Sequence, residues 1–146
     1  MAKIASISDG NLNSRPITVS TPVLNRDIDC TFTLKPSGDL YSKTEAAAVA
    51  QSVKNLIMTN KGEKPFQPNY GANMGNLLFE LGVDLDNEDV TNMITSAINT
   101  YEPRAKVREI KSQFSPDYNS LNITIVFLVT ASKQVVTLNV NIARTR

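Results

Sequence analysis

Leu121-Asn122-Ile123-Thr124-Ile125-Val126-Phe127-Leu128-Val129 is the stretch on which the fold turns. Leu121, Ile123, Ile125, Phe127 and Val129 share one side of a period-two pattern, so the segment reads as a β-strand with a fully apolar face. Val126 and Leu128 add apolar character to the other side. That places the strand centrally in a sheet, covered on both faces for part of its length. After Ala131-Ser132-Lys133-Gln134 a second alternation runs through Val136, Leu138, Val140 and Ile142, with Thr137, Asn139 and Asn141 on its polar side. Upstream, Ala105 to Phe114 reads as a more charged strand, and Ser115-Pro116-Asp117 opens the turn after it.

Towards the N-terminus the period lengthens. Ala46, Val49, Ala50, Val53, Leu56 and Ile57 recur at helical spacing and predict a helix from about Lys43 to Thr59, with Ser42 and Glu45 spaced as a capping box. Val90, Ile94, Ala97, Ile98 and Tyr101 form a second buried stripe, started by Asp86 as N-cap. Pro103 disfavours helical geometry at Glu102, so this helix should end near Tyr101. Met74, Leu77, Leu78 and Leu81 suggest a short helix between the two, stopped by Gly82. Asp27 to Leu34 also alternates, and is expected to be a strand burying Ile28, Cys30, Phe32 and Leu34. The sum is an α+β fold: a small antiparallel sheet with helices packed on one face. Residues 24–146 are read as one domain. Residues 1–23 are polar and broken by Pro16 and Pro22, either a disordered tail or an arm that orders against a neighbouring subunit.

Composition excludes more than it specifies. Fifteen Lys and Arg against 14 Asp and Glu leave a net charge of +1, which provides no field for gripping nucleic acid. With no histidine, the chain cannot build a Ser–His–Asp triad or a histidine metal site. Cys30 is the single cysteine, so no intrachain disulfide or multi-thiol centre can form. No run of about 20 apolar residues is present, so no membrane span is expected. Met1 to Gly10 lacks the apolar run of a signal peptide, which points to synthesis and assembly in a cytoplasm.

Three segments could carry function. Asp84, Asp86, Glu88 and Asp89 cluster, and paired carboxylates are the one catalytic option left; capping and the helix dipole already account for acids at that position. No calcium-loop spacing accompanies them, and neither catalytic, cofactor nor metal residues are assigned. Lys61 to Gly71 is a loop punctuated by Gly62, Pro65, Pro68 and Gly71, with Phe66 and Tyr70 as anchors; its prolines should make it rigid. Tyr101-Glu102-Pro103-Arg104 turns a helix into a strand. Glu102 and Arg104 either present an acid and a base together at an exposed corner, or pair internally within the connector.

Together these residues resemble a known family. Lys61-Gly62-Glu63-Lys64-Pro65-Phe66-Gln67-Pro68-Asn69-Tyr70-Gly71, then Leu78-Phe79-Glu80, then Glu102-Pro103-Arg104 follow the motif order of the small baseplate wedge subunit of contractile-tailed phages, a family shared with type VI secretion baseplates. Lys64 stands where that family often has arginine. The resemblance spans Asp27 to Ile142 and implies a domain like the sheath protein's assembly (handshake) domain. It implies a structural subunit that starts sheath assembly by sharing β-strands, despite the family's older lysozyme-like label. Under it, Glu102, Pro103 and Arg104 dock on the wedge core, Pro65, Phe66, Pro68 and Gly71 scaffold the loop, and Thr137, Asn139 and Asn141 mark the sheath-facing edge. The partners implied are wedge core proteins and the tail sheath, with neighbouring baseplate or tube proteins reached through residues 1–23. The implied location is a virion tail baseplate assembled in the host cytoplasm, or the cytoplasmic face of a type VI baseplate. A cell-wall glycosidase is the alternative function.

Overall fold

The computed structural model describes residues 26–77, 87–115 and 120–143. Along the chain run β1 (Arg26–Ile28), β2 (Ser42–Thr44), α1 (Ala46–Met58), α2 (Met74–Leu77), α3 (Asn87–Tyr101), β3 (Ala105–Ser115), β4 (Ser120–Val129) and β5 (Val135–Ala143). The alternation at 121–129 does form the middle of a sheet. β3, β4 and β5 are antiparallel neighbours in that order, with Phe127 opposite Val107 on one side and Val136 on the other. Every second residue of β4 from Leu121 to Val129 is buried. These side chains pack against Val49, Val53, Leu56 and Ile57 of α1 and Val90, Ile94 and Ile98 of α3, so both long helices lie on one face of the sheet. On the other face Val126 and Leu128 are half-buried among side chains of the flanking strands.

One register shift interrupts the ladder. Val107 pairs with Phe127 and Glu109 with Val126, so Arg108 is the extra residue of a β-bulge. The apolar side of β3 survives the slip: Ala105 and Val107 precede it, Ile110 follows, and all three join the core.

The N-terminal strand departs from expectation. The alternation from Asp27 to Leu34 does not bury its apolar side: Ile28 is 55% exposed, Phe32 68% and Leu34 63%, and Cys30 is exposed as well. Only Arg26–Ile28 pairs, and its partner is β2 in a separate two-stranded ladder, with no bond to the main sheet among the described residues. The chain turns at once, Phe32 N donating to Asp29 O over 3.0 Å. Buried Gln51 of α1 clips this hairpin down. Its Nε2 donates to Ile28 O at 2.7 Å and to Asp27 Oδ2 at 3.1 Å, while its Oε1 accepts from Cys30 N at 3.3 Å.

The same ladder overrides the capping box. Ser42 pairs with Ile28 and Thr44 with Arg26, so the backbone stays extended until Glu45. Glu45 turns the chain at φ +46° with no side-chain cap, and α1 begins at Ala46 rather than Lys43. The helix that was to end near Tyr101 does so. The expected cap Asp86, the residues Leu78, Leu81 and Gly82, and the turn at 116–117 lie outside the described residues.

Candidate docking surface

Glu102 closes α3 and opens the path to β3. Its backbone N donates to Ile98 O at 2.8 Å, and its carbonyl accepts from Ala105 N at 3.0 Å. Pro103 leaves no choice but to turn there. Contrary to an exposed acid–base display, the Glu102 side chain is buried, at 3% exposure. Arg104 takes both of its oxygens: Nε donates to Oε1 at 2.5 Å and Nη2 to Oε2 at 2.6 Å. The internal pairing is thus the one the fold adopts. A carboxylate this deep is tolerable only when paired and hydrogen-bonded. Burial pushes the Glu102 carboxyl up, but the Arg104 hydrogen bonds, the Ser52 hydroxyl and the arginine charge outweigh it and hold the group below its ordinary range. Arg104 is raised in turn, first by its bond to Glu102.

Arg104 keeps 42% of its side chain exposed. Guanidinium has five N–H donors, and two are engaged by Glu102, which fixes the plane and leaves three for other acceptors. The Arg104 carbonyl accepts from Thr130 N at 2.8 Å, which ties the corner to the end of β4. Pro103 beside it is exposed. Glu102 therefore positions, and Arg104 with Pro103 forms the accessible part of the corner.

The Lys61–Gly71 loop leans on this corner. Tyr70 and Tyr101 meet edge to face with centroids 5.2 Å apart, and Tyr101 Oη donates to Asn69 O at 2.8 Å. Tyr101, expected in the buried stripe, is instead 37% exposed because its ring turns to the loop. Burial, and then the Glu102 charge, raise the Tyr70 hydroxyl. Lys64 Nζ sits 4.0 Å from the Tyr70 ring centroid, a cation–π contact.

Hydrogen bonds brace the loop expected to be rigid. Asn60 donates through its backbone N and Nδ2 to the two Glu63 oxygens at 2.8 and 2.9 Å, and its Oδ1 accepts from Gly75 N at 3.0 Å. Gly62 N donates to Pro68 O at 2.8 Å across the loop. Gly71 has φ +115°, and a Cβ there would lie 2.3 Å from Thr59 O, so only glycine fits. Pro65 and Pro68 fix φ on either side of Phe66, and Gly71 permits the close backbone approach to Thr59. Phe66 is fully exposed, with φ +63°, and is held by no side-chain contact among the described residues.

Thr137 and Asn139 are exposed on β5 on the side away from the helices, and Asn141 donates to Asn122 Oδ1 at 2.5 Å across the ladder. Among the described residues β5 and β3 each have one unpaired edge. They differ in charge. β3 carries Lys106, Arg108, Glu109 and Lys111 and a bulge, devices that protect an edge, while β5 is uncharged and regular throughout.

Asp84 and Asp86 lie outside the described residues; Glu88 and Asp89 occupy the first turn of α3. Among the described residues no three His, Cys, Asp or Glu side chains converge as metal ligands, and no helix is long and apolar enough to cross a membrane. A groove between the loop and α3, lined by Lys61, Asn69, Met93, Ser96 and Thr100 among others, holds no carboxylate. Sequence reasoning missed Gln51, Ser52, Asn60 and the Tyr70–Tyr101 contact. Each is a polar or aromatic residue whose role depends on a distant partner, and no local pattern marks it.

The family model for the baseplate wedge protein gp25 matches residues 43–134. The baseplate wedge protein gp25 of Enterobacteria phage T4 is 32% identical over 81 residues, covering 56% of this chain and 61% of the relative's own length. In the cryo-EM structure of the anti-feeding prophage baseplate, a chain superposes with a TM-score of 0.63 at 26% identity, over 73% of this chain and 86% of that one. A Geobacter sulfurreducens protein provisionally named a tail lysozyme gives 0.57 at 18% identity over 67% of this chain and 89% of its own. A chain of the type VI secretion baseplate complex gives 0.54 at 12% over 68% and 93%. The last two likenesses show the fold alone.

Proposed function

This chain belongs to the baseplate wedge protein gp25 family, and from that we propose that it is a two-sided structural adaptor of a contractile-tail baseplate, docking on the wedge core and initiating the sheath by strand addition. The observation that carries the docking half is the buried Glu102–Arg104 pair. A partner approaching this corner meets a guanidinium already oriented, so little side-chain entropy is lost on contact. Because Glu102 offsets the arginine charge, the outward donors suit backbone carbonyls, such as those at a helix end, as well as carboxylates.

The open β5 edge supports the templating half. Strand addition needs unpaired backbone donors and acceptors on an edge not protected by charge. β5 meets that description and β3 does not. The match to a phage T4 protein favours a virion tail as the setting.

A non-catalytic role is the reading the chemistry supports. A glycosidase needs a general acid whose pKa is raised, facing a second carboxylate across a sugar-sized cleft. Glu102 is shifted the opposite way and is sealed by Arg104.

The test uses complementation of a particle lacking this chain. Arg104→Ala would strip the buried carboxylate of its partner and mix folding with docking, so the exposed neighbour is the better probe. Pro103→Asp should leave circular dichroism unchanged and abolish incorporation into the baseplate. Asn139→Pro should permit incorporation and block sheath polymerisation, with circular dichroism of the purified variant as control. If proline unfolds it, Thr137→Lys/Asn139→Lys replaces it as an edge-charging variant. Normal tails from Pro103→Asp would refute docking at the corner, and normal sheath on an edge variant would refute templating by β5.

A further inference from the structure

Phe66 occupies a backbone position that a phenylalanine should avoid. Gln67 N donates to Lys64 O at 3.2 Å, so Lys64-Pro65-Phe66-Gln67 is a β-turn with Pro65 second and Phe66 third. A positive φ at the third position, +63° here, is the type II pattern, which glycine or asparagine satisfies without strain. Among the described residues the side chain obtains no compensation, since it is fully solvent-exposed. An aromatic that strains the backbone and buries nothing is unfavourable in the isolated domain on both counts.

The surroundings hold it in place. Pro65 and Pro68 flank it, the Gly62–Pro68 and Asn60–Glu63 bonds brace the loop, and Lys64 lies over Tyr70, whose ring meets the end of α3 beside Glu102. An exposed aromatic on a braced loop forfeits little freedom on insertion, which is what an interface anchor requires. The charge around it is asymmetric. Asn60 satisfies both oxygens of Glu63, whose carboxyl its backbone N–H holds below the ordinary range, whereas Lys61 has no ion-pair partner among the described residues. The Lys64 ammonium engages only the Tyr70 ring among those residues.

We infer that Phe66 is an anchor residue that inserts into an apolar cleft of a neighbouring wedge protein, with Lys61 and Lys64 facing carboxylates on the rim of that cleft. This rests on the docking reading above and adds to it the side chain that enters the partner and the chemistry of the receiving surface.

The experiment measures affinity of the full chain for the wedge complex isolated from a strain deleted for this protein. Phe66→Ala and Phe66→Gly should each weaken binding at least about tenfold, the loss expected for one buried aromatic. Phe66→Gly should melt at or above the wild-type temperature, because glycine relieves the turn, so its binding loss cannot be a folding defect. Lys61→Glu should weaken binding as well, more at low salt than at high salt. Wild-type affinity in both Phe66 variants, with Pro103→Asp defective, would overturn the anchor and leave corner docking standing. Wild-type affinity in all of them, or no binding by the wild-type chain, would overturn both. Unchanged affinity in Lys61→Glu would overturn the acidic rim.

Discussion

Glu102 keeps its charge where water scarcely reaches because Arg104 grips both of its oxygens and Ser52 adds a hydroxyl. The consequence is a pH dependence with a definite sign. A carboxyl whose folded pKa lies below its unfolded value of 4.5 contributes stability that is fully present above that value and lost as pH falls through the lower, folded one. Thermal melts from about pH 6 down to about pH 3 should therefore show the wild type losing more stability on the acid side than Glu102→Gln does. Parallel curves for the two proteins would remove Glu102 from the acid response. At this scale the sequence announced that Glu102 and Arg104 belong together, since residues two apart in extended chain share a side, but left open whether the pair is displayed or internal. That depends on Ser52 and Tyr70, which chain distance hides.

The β1–β2 hairpin marks where element-level pattern ceased to be enough. Period-two alternation from Asp27 to Leu34 identifies residues that could share one face of a strand; it contains nothing about what lies over that face. Here Ile28, Phe32 and Leu34 stay exposed, and the attachment is polar: Gln51 bonds to Asp27, Ile28 and Cys30, and Asn55 Nδ2 donates to Cys30 Sγ at 3.9 Å. Gln51→Ala removes bonds to Asp27, Ile28 and Cys30. The hairpin should then open locally at a cost on the order of 1–3 kcal/mol, the range for stranding buried polar groups. Hydrogen exchange read by mass spectrometry should show faster exchange across residues 26–44 with the β3–β5 sheet unchanged. Exchange accelerated throughout the domain would mean that Gln51 supports the core instead. α1 tells the complementary story: its apolar stripe was legible, but its start was not, because β1 recruits Ser42 to Thr44 before they can cap a helix.

At the scale of the whole molecule, an uncharged strand edge sits on a chain of nearly balanced charge. With pI near 7.8, net repulsion between copies is weak around neutrality. An open, regular, uncharged edge is also a template for pairing with another copy. Purified protein should self-associate with rising concentration near pH 7.8, more than at about pH 5 where like charge accumulates. Thr137→Lys should suppress this, as light scattering or sedimentation would register. A strictly monomeric chain at high concentration near its pI would indicate that the β5 edge is not available for addition.

Periodicity along β4, β5, α1 and α3 was enough by itself to determine the class of fold, the central strand and the one-sided placement of the helices. The reason is that alternation at two or at 3.6 residues records directly which side of an element meets water. The order of the three motifs, likewise, sufficed to place the chain in its family. Tertiary structure alone decided that Glu102 turns inward, that Tyr101 leaves its stripe for Tyr70, and that Phe66 stands bare on a braced turn. Those outcomes are set by contacts between segments far apart in the chain, and burial of a polar group or exposure of an aromatic one is a property of such contacts rather than of any local run of residues.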